Sequence, residues 1–105
     1  MAGADAMSDV VKRTIEVFYP IEDPEEALNK VVFEWLDSKA SKLEEKVMGF
    51  ERKYGMEFME FDNRIKIKGA SFEEEDDWID WGDYIELLES VKKYRRDVLL
   101  QLKTH

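Results

Sequence analysis

The chain has no cysteine, one histidine and two prolines in 105 residues. Without cysteine there is no disulfide, no thiolate nucleophile and no thiolate-held metal. The histidine is His105, the final residue, so no Ser or Thr hydroxyl has a positioned imidazole as its base. The five glycines form neither a G-x-x-x-x-G-K-[ST] nor a G-x-G-x-x-G pattern, so the common phosphate cradles are missing. No apolar run approaches the roughly 20 residues that cross a bilayer, and no signal-peptide pattern opens the chain. The expectations are a non-enzyme with no cofactor, no membrane contact and a cytoplasmic location. Side-chain amides are scarce too: Asn29, Asn63 and Gln101 only. Few amides and no cysteine beside 39% charged residues match the bias of proteins from hot habitats.

What is present is apolar enough for a core, with 44% hydrophobic and 12% aromatic residues. The length is that of one small domain, read as a loose tail over 1–9 and a single helical domain over 10–105. Acids outnumber bases 25 to 16, for a net charge of -9 and a pI near 4.6. That sign repels a phosphate backbone, so direct nucleic-acid binding is not expected and a basic protein partner is favoured.

Lys12 to Tyr19 alternates, with Ile15, Val17 and Tyr19 on one face, and stops at Pro20. This predicts a strand. Asp23-Pro24-Glu25-Glu26 has the residues that open a helix, and Gly55 those that close one. Between them Leu28, Val32, Trp35, Leu36, Leu43, Val47, Phe50 and Tyr54 recur at threes and fours. Phe58, Phe61 and Ile65 predict a short helix, while Ile65 to Lys68 reads equally as its end or as a second short strand. Ser71-Phe72-Glu73-Glu74 is a capping box opening a last helix, with Trp81, Tyr84, Ile85, Leu88, Val91, Leu99 and Leu102 along one stripe. The predicted fold is mainly α. It is a long antiparallel helical hairpin (24–54 and 72–103) with a short helix in the connection and one or two short β-strands. In that register Trp78 and Trp81 lie beside Val47, Phe50 and Tyr54, with Phe58 and Phe61 at the turn.

Two helices cannot hide this much apolar surface, which predicts a homodimer or a constant partner. A lone strand needs a partner as well. Ile65 to Lys68, the same strand of a second copy pairing through Ile15, Val17 and Tyr19, or another protein's sheet edge would serve.

Residues 71–90 carry nine acids and no base, whereas residues 91–105 carry five bases and one acid. Acids early and bases late in a helix complement its dipole, which accounts for Glu73 to Asp77 and Lys92 to Arg96. It does not account for Asp80, Asp83, Glu86 and Glu89. Three readings stand: a solvated face, divalent-metal binding along the run, or a docking surface for a basic protein. The docking surface comprises Asp76, Asp77, Trp78, Asp80, Asp83 and Glu86. EF-hand spacing is missing, so no residue is assigned as a metal ligand.

The stretch Phe50-Glu51-Arg52-Lys53-Tyr54-Gly55-Met56-Glu57-Phe58-Met59-Glu60-Phe61 resembles the FE-x-KYGM-x-F-x-x-F segment of small helical proteins of archaea and some bacteria. In those an acidic, Trp-bearing stretch follows, which Asp76-Asp77-Trp78-Ile79-Asp80-Trp81 resembles. The order strand, Pro, long helix is also similar to the start of ribbon-helix-helix proteins. Glu16 and Phe18 sit where such a ribbon reads DNA, so no DNA contact is carried over. Some members of both groups are read as antitoxins. The resemblance implies a non-enzymatic, antitoxin-like interaction module covering a basic, RNA-cleaving protein. The alternatives are a structural homodimer without a dedicated ligand and, more remotely, a metal binder.

Overall fold

The computed structural model describes residues 8–18 and 23–103. Among these residues every regular element is a helix: α1 (Asp9–Phe18), α2 (Pro24–Tyr54), α3 (Phe58–Lys68) and α4 (Phe72–Lys103). The molecule is therefore mainly α, and the two expected strands are corrected.

The segment read as a strand is α1. Ser8 caps it, with its hydroxyl accepting the Val11 N–H at 3.2 Å, and the helix begins at Asp9. Val11, Ile15 and Phe18 recur at four and three, a helical spacing that coexists with the period-two one in so short a stretch. The helix satisfies its own backbone groups, whereas a strand here would have needed a second one. Ile15 is buried and Val17 is 71% exposed, so these two do not share a pairing face. Tyr19 lies outside the described residues. Ile65 to Lys68 is likewise helical, closing α3 at Gly69, whose φ is 77° and whose N–H donates to the Ile65 carbonyl at 2.8 Å.

The ends of the long helices follow from local chemistry. The Asp23 carboxylate accepts the Glu26 N–H at 3.2 Å, and Pro24 takes a first-turn position that needs no N–H. Gly55 ends α2 in the left-handed region at φ 64°, which a side chain would strain. At the start of α4, Ser71 and Glu74 cap each other's backbone N–H groups, both at 3.1 Å.

Helices α2 and α4 lie side by side and antiparallel. Ion pairs cross between them at Asp37–Arg95 (2.8 Å), Glu44–Lys92 (3.6 Å) and Lys53–Asp77 (2.6 Å). Lys92 and Arg95, which interrupt the α4 stripe, thus supply two of the cross-links. Leu36, Ala40 and Leu43 of α2 bury against Leu88 and Val91 of α4, with Val32, Val47, Tyr84 and Val98 around them. Trp35 is not on this stripe. It is 61% exposed, with the Lys39 ammonium 6.0 Å from its ring centre.

Near the turn the packing becomes aromatic. Trp81 is fully buried, stacked on Phe50 at 5.6 Å and Tyr54 at 6.1 Å, beside Phe61 and edge-on to Phe58, both at 5.3 Å. Phe61 is fully buried as well, 4.2 Å from Tyr54. At the other end α1 packs on α2, where Ile15 and Ala27 are buried. The whole measures 58 × 24 × 22 Å with a radius of gyration of 19.6 Å. A compact chain of this length would have about 13 Å. Such a rod keeps little of its apolar surface inside. Among the described residues, no helix is long and apolar enough to cross a membrane.

Candidate functional site

The helix α3 crosses the acidic half of α4, and a groove of about 420 Å³ opens along their junction. Gly82 makes the close approach possible: a Cβ there would lie 3.3 Å from the Phe58 ring. Phe58, Trp78, Ile79 and Ile85 supply the apolar surface of the groove. The Trp78 indole N–H donates to Asp62 Oδ1 at 2.9 Å, which fixes the ring across the helix pair. Lys66 Nζ donates to the other Asp62 oxygen at 2.9 Å. With the ammonium first and the indole second, these bonds hold the Asp62 carboxyl below the usual carboxylate range.

Asp83, Glu86 and Glu89 line the same groove from α4, all three exposed. Among the described residues, none of these three meets a cation. A long cationic side chain suits this arrangement, with its methylene stem on Trp78 and the isoleucines and its charged head at the carboxylates.

The six residues expected to form one docking face are divided by the structure. Trp78, Asp83 and Glu86 share the groove. Asp77 is turned inward, where one of its oxygens accepts from both Lys53 Nζ and the Tyr54 hydroxyl. Lys53 first and Tyr54 second hold the Asp77 carboxyl low, while the bond to Asp77, and after it the bond to Glu73, raises the Lys53 ammonium. Burial, then the bond to Asp77, pushes the Tyr54 hydroxyl up to about 12. Asp80 borders a separate hollow of about 290 Å³ beside Glu45, Lys46 and Lys53. Asp76 is exposed and lines neither. Two further acids serve the fold: Glu73 pairs with Lys53 at 2.8 Å, and Glu74 pairs with Arg64 besides capping α4. The Ser71 backbone bond is the main cause that holds Glu74 below its usual range.

Sequence reasoning missed Asp62, Phe58 and Ile85 as members of the site and left Glu89 outside the docking set. Glu89 had a readable signal, being three residues beyond Glu86 on the same helix. Asp62 had none, because its contact with Trp78 depends on the crossing of α3 over α4. Among the described residues, no three His, Cys, Asp or Glu side chains gather in a way that could hold a metal ion.

No protein-family model, curated protein or solved structure matches the chain. Its class is therefore described by what it is built of: a pair of long antiparallel helices cross-braced by a third, bearing an acid-rimmed aromatic groove.

Proposed function

We propose that the protein is a non-enzymatic, antitoxin-like interaction module. Its α3–α4 groove receives an Arg- or Lys-bearing segment of a basic protein, an RNA-cleaving toxin being the partner the sequence resemblance implies. One observation carries this reading: three uncompensated carboxylates stand beside an open apolar groove, while neighbouring acids on the same helix are neutralised by Lys53 and Arg64. A merely solvated acidic face has no use for an apolar recess at its centre.

The division of labour follows from magnitudes. Exposed ion pairs contribute about 0.2–1 kcal/mol each, so the carboxylates chiefly steer and accelerate encounter. Affinity comes from the contact with Trp78 and its apolar neighbours, as aromatic anchors do in other interfaces.

The test is co-elution of the protein with the basic product of an adjacent gene. Asp83→Lys/Glu86→Lys is expected to abolish the complex, because each reversal sets like charges face to face in the groove, which costs far more than the lost pairs. Asp76→Lys/Asp80→Lys, which places the same charge change outside the groove, is expected to weaken it only modestly through long-range repulsion. Equal loss in both variants, or survival of the complex in the first, would remove the groove from the function.

A further inference from the structure

The end of the rod remote from the acidic groove has the opposite character. Helix α1 has only ten residues, too short to hold its conformation in water without burying an apolar face. Yet only Ile15 of that face is buried, and Val10, Val17 and Phe18 are 74%, 71% and 73% exposed. Between α1 and α2 lies a second groove of about 410 Å³, lined by Val10, Val11, Ile15 and Phe18 on one side and Leu28 and Val31 on the other. Trp35 follows Leu28 and Val31 on the same stripe of α2, one turn past the groove, and stands 61% exposed.

Charge indicates what covers this face. Residues 47–90 hold thirteen acids and five bases, so nearly all of the net charge belongs to the groove end. Residues 9–18, 23–46 and 91–103 together hold ten acids and eleven bases. A basic partner is drawn to the first region and has no electrostatic reason to sit on the second. Two copies of this chain, which repel at their acidic ends, can meet only at the neutral ends.

Area agrees with charge. Taking roughly 150 Å² for a valine and 200–250 Å² for an aromatic side chain, the exposed parts of Val10, Val11, Val17, Phe18, Val31 and Trp35 come to roughly 600 Å² per copy. Two such patches face to face remove at most about 1,200 Å² from water, the lower edge of the range of specific interfaces. In a two-fold arrangement each copy offers both the groove and the protruding indole beside it, so the contact is made twice.

We propose that the protein self-associates end to end through this face, each Trp35 seated in the α1–α2 groove of the other copy. The acidic grooves then point outward at the two extremities. This inference does not rest on the proposed function.

The test is sedimentation velocity of the full chain without any partner, from low micromolar to several hundred micromolar. The expected species has twice the 12.5 kDa chain mass. Trp35→Ala is expected to weaken association by about tenfold or more, as loss of a central aromatic anchor does. Its helical circular dichroism should match the wild type at high dilution, since Trp35 is mostly exposed in the single copy and lies outside the buried core. Phe18→Ser should act in the same direction. Asp83→Lys/Glu86→Lys, remote from the face, should dimerise like the wild type even where it loses the basic partner. A single 12.5 kDa species at every concentration would overturn the proposal. A dimer indifferent to Trp35→Ala, or one lost on reversing Asp83 and Glu86, would overturn it equally.

Discussion

Replacing each of two tryptophans by phenylalanine should give costs in the reverse order of their burial. Trp81 is fully enclosed by Phe50, Tyr54, Phe58 and Phe61, and among the described residues nothing accepts its indole N–H. Trp81→Phe removes roughly 40 Å³, for about 1 kcal/mol of cavity cost, and about as much again in lost transfer energy. Against this stands the relief of an unpaired buried donor, about 1–3 kcal/mol. The net change should lie within about 1 kcal/mol of zero. Trp78 is only half-buried, but its N–H is bonded to the Asp62 carboxylate at 2.9 Å. Trp78→Phe forfeits that bond and some apolar contact, about 1–2 kcal/mol after allowance for solvent access. Trp81→Ala, with no ring left to fill the cluster, should cost about 3–5 kcal/mol. Urea unfolding at one fixed protein concentration measures all three, and fixing the concentration keeps any contribution from self-association the same in each. The reasoning fails if Trp81→Phe proves costlier than Trp78→Phe, or approaches Trp81→Ala.

The cross-brace at Asp77 should leave a signature in the pH dependence of stability. The carboxyls of Asp77, Glu74 and Asp62 are held low in the folded state, so the stability they confer is complete above about pH 5 and is lost as pH falls through their depressed values. Asp77→Asn should flatten that acid limb in urea midpoints taken across pH. Tyr54 is raised to about 12, so its contribution is intact below about pH 10 and is lost as pH climbs through about 12; Tyr54→Phe should flatten this alkaline limb. Ser71→Ala removes the hydroxyl that caps the Glu74 N–H and should cost about 1 kcal/mol in thermal or urea unfolding.

The long helices were legible because their boundaries are written in a few adjacent residues. Asp23 with Pro24, Gly55, and Ser71 with Glu74 act on backbone groups no more than four residues away. Helix α1 was misread for a reason of length. Within the nine residues from Val11 to Tyr19, Ile15, Val17 and Tyr19 satisfy one period while Val11, Ile15 and Phe18 satisfy the other. Which period prevails depends on whether a partner strand exists, and residues 12–19 alone do not contain that information. The docking face was misassembled at Asp77, where a signal was available. Asp77 lies four residues before Trp81 and so shares the face of α4 that turns toward α2, while Asp76 is rotated away. Asp62 and Phe58 enter the groove only through the docking of α3 on α4, a tertiary fact that no local pattern encodes.

The two ends of this rod are stabilised by different means, and that difference matches the roles proposed for them. At the turn, Trp81 and Phe61 bind three helices into one aromatic cluster, and Lys53, Arg64 and Asp62 brace it with charged hydrogen bonds. A recognition groove gains from such a frame, because side chains held in place lose little further freedom when a partner arrives. At the opposite end, among the described residues, Ile15 and Ala27 are the ones buried where α1 meets α2. There the proposed self-association supplies the missing core, since covering the face in a dimer favours the docked α1 by mass action. Dilution should therefore loosen α1 first and leave the aromatic end intact. In amide hydrogen exchange, the protection of residues 9–18 should depend on protein concentration, while that of residues around Trp81 should not. Equal concentration dependence at both ends would mean that the rod is held together as a single unit, and the division of roles along it would have no physical basis.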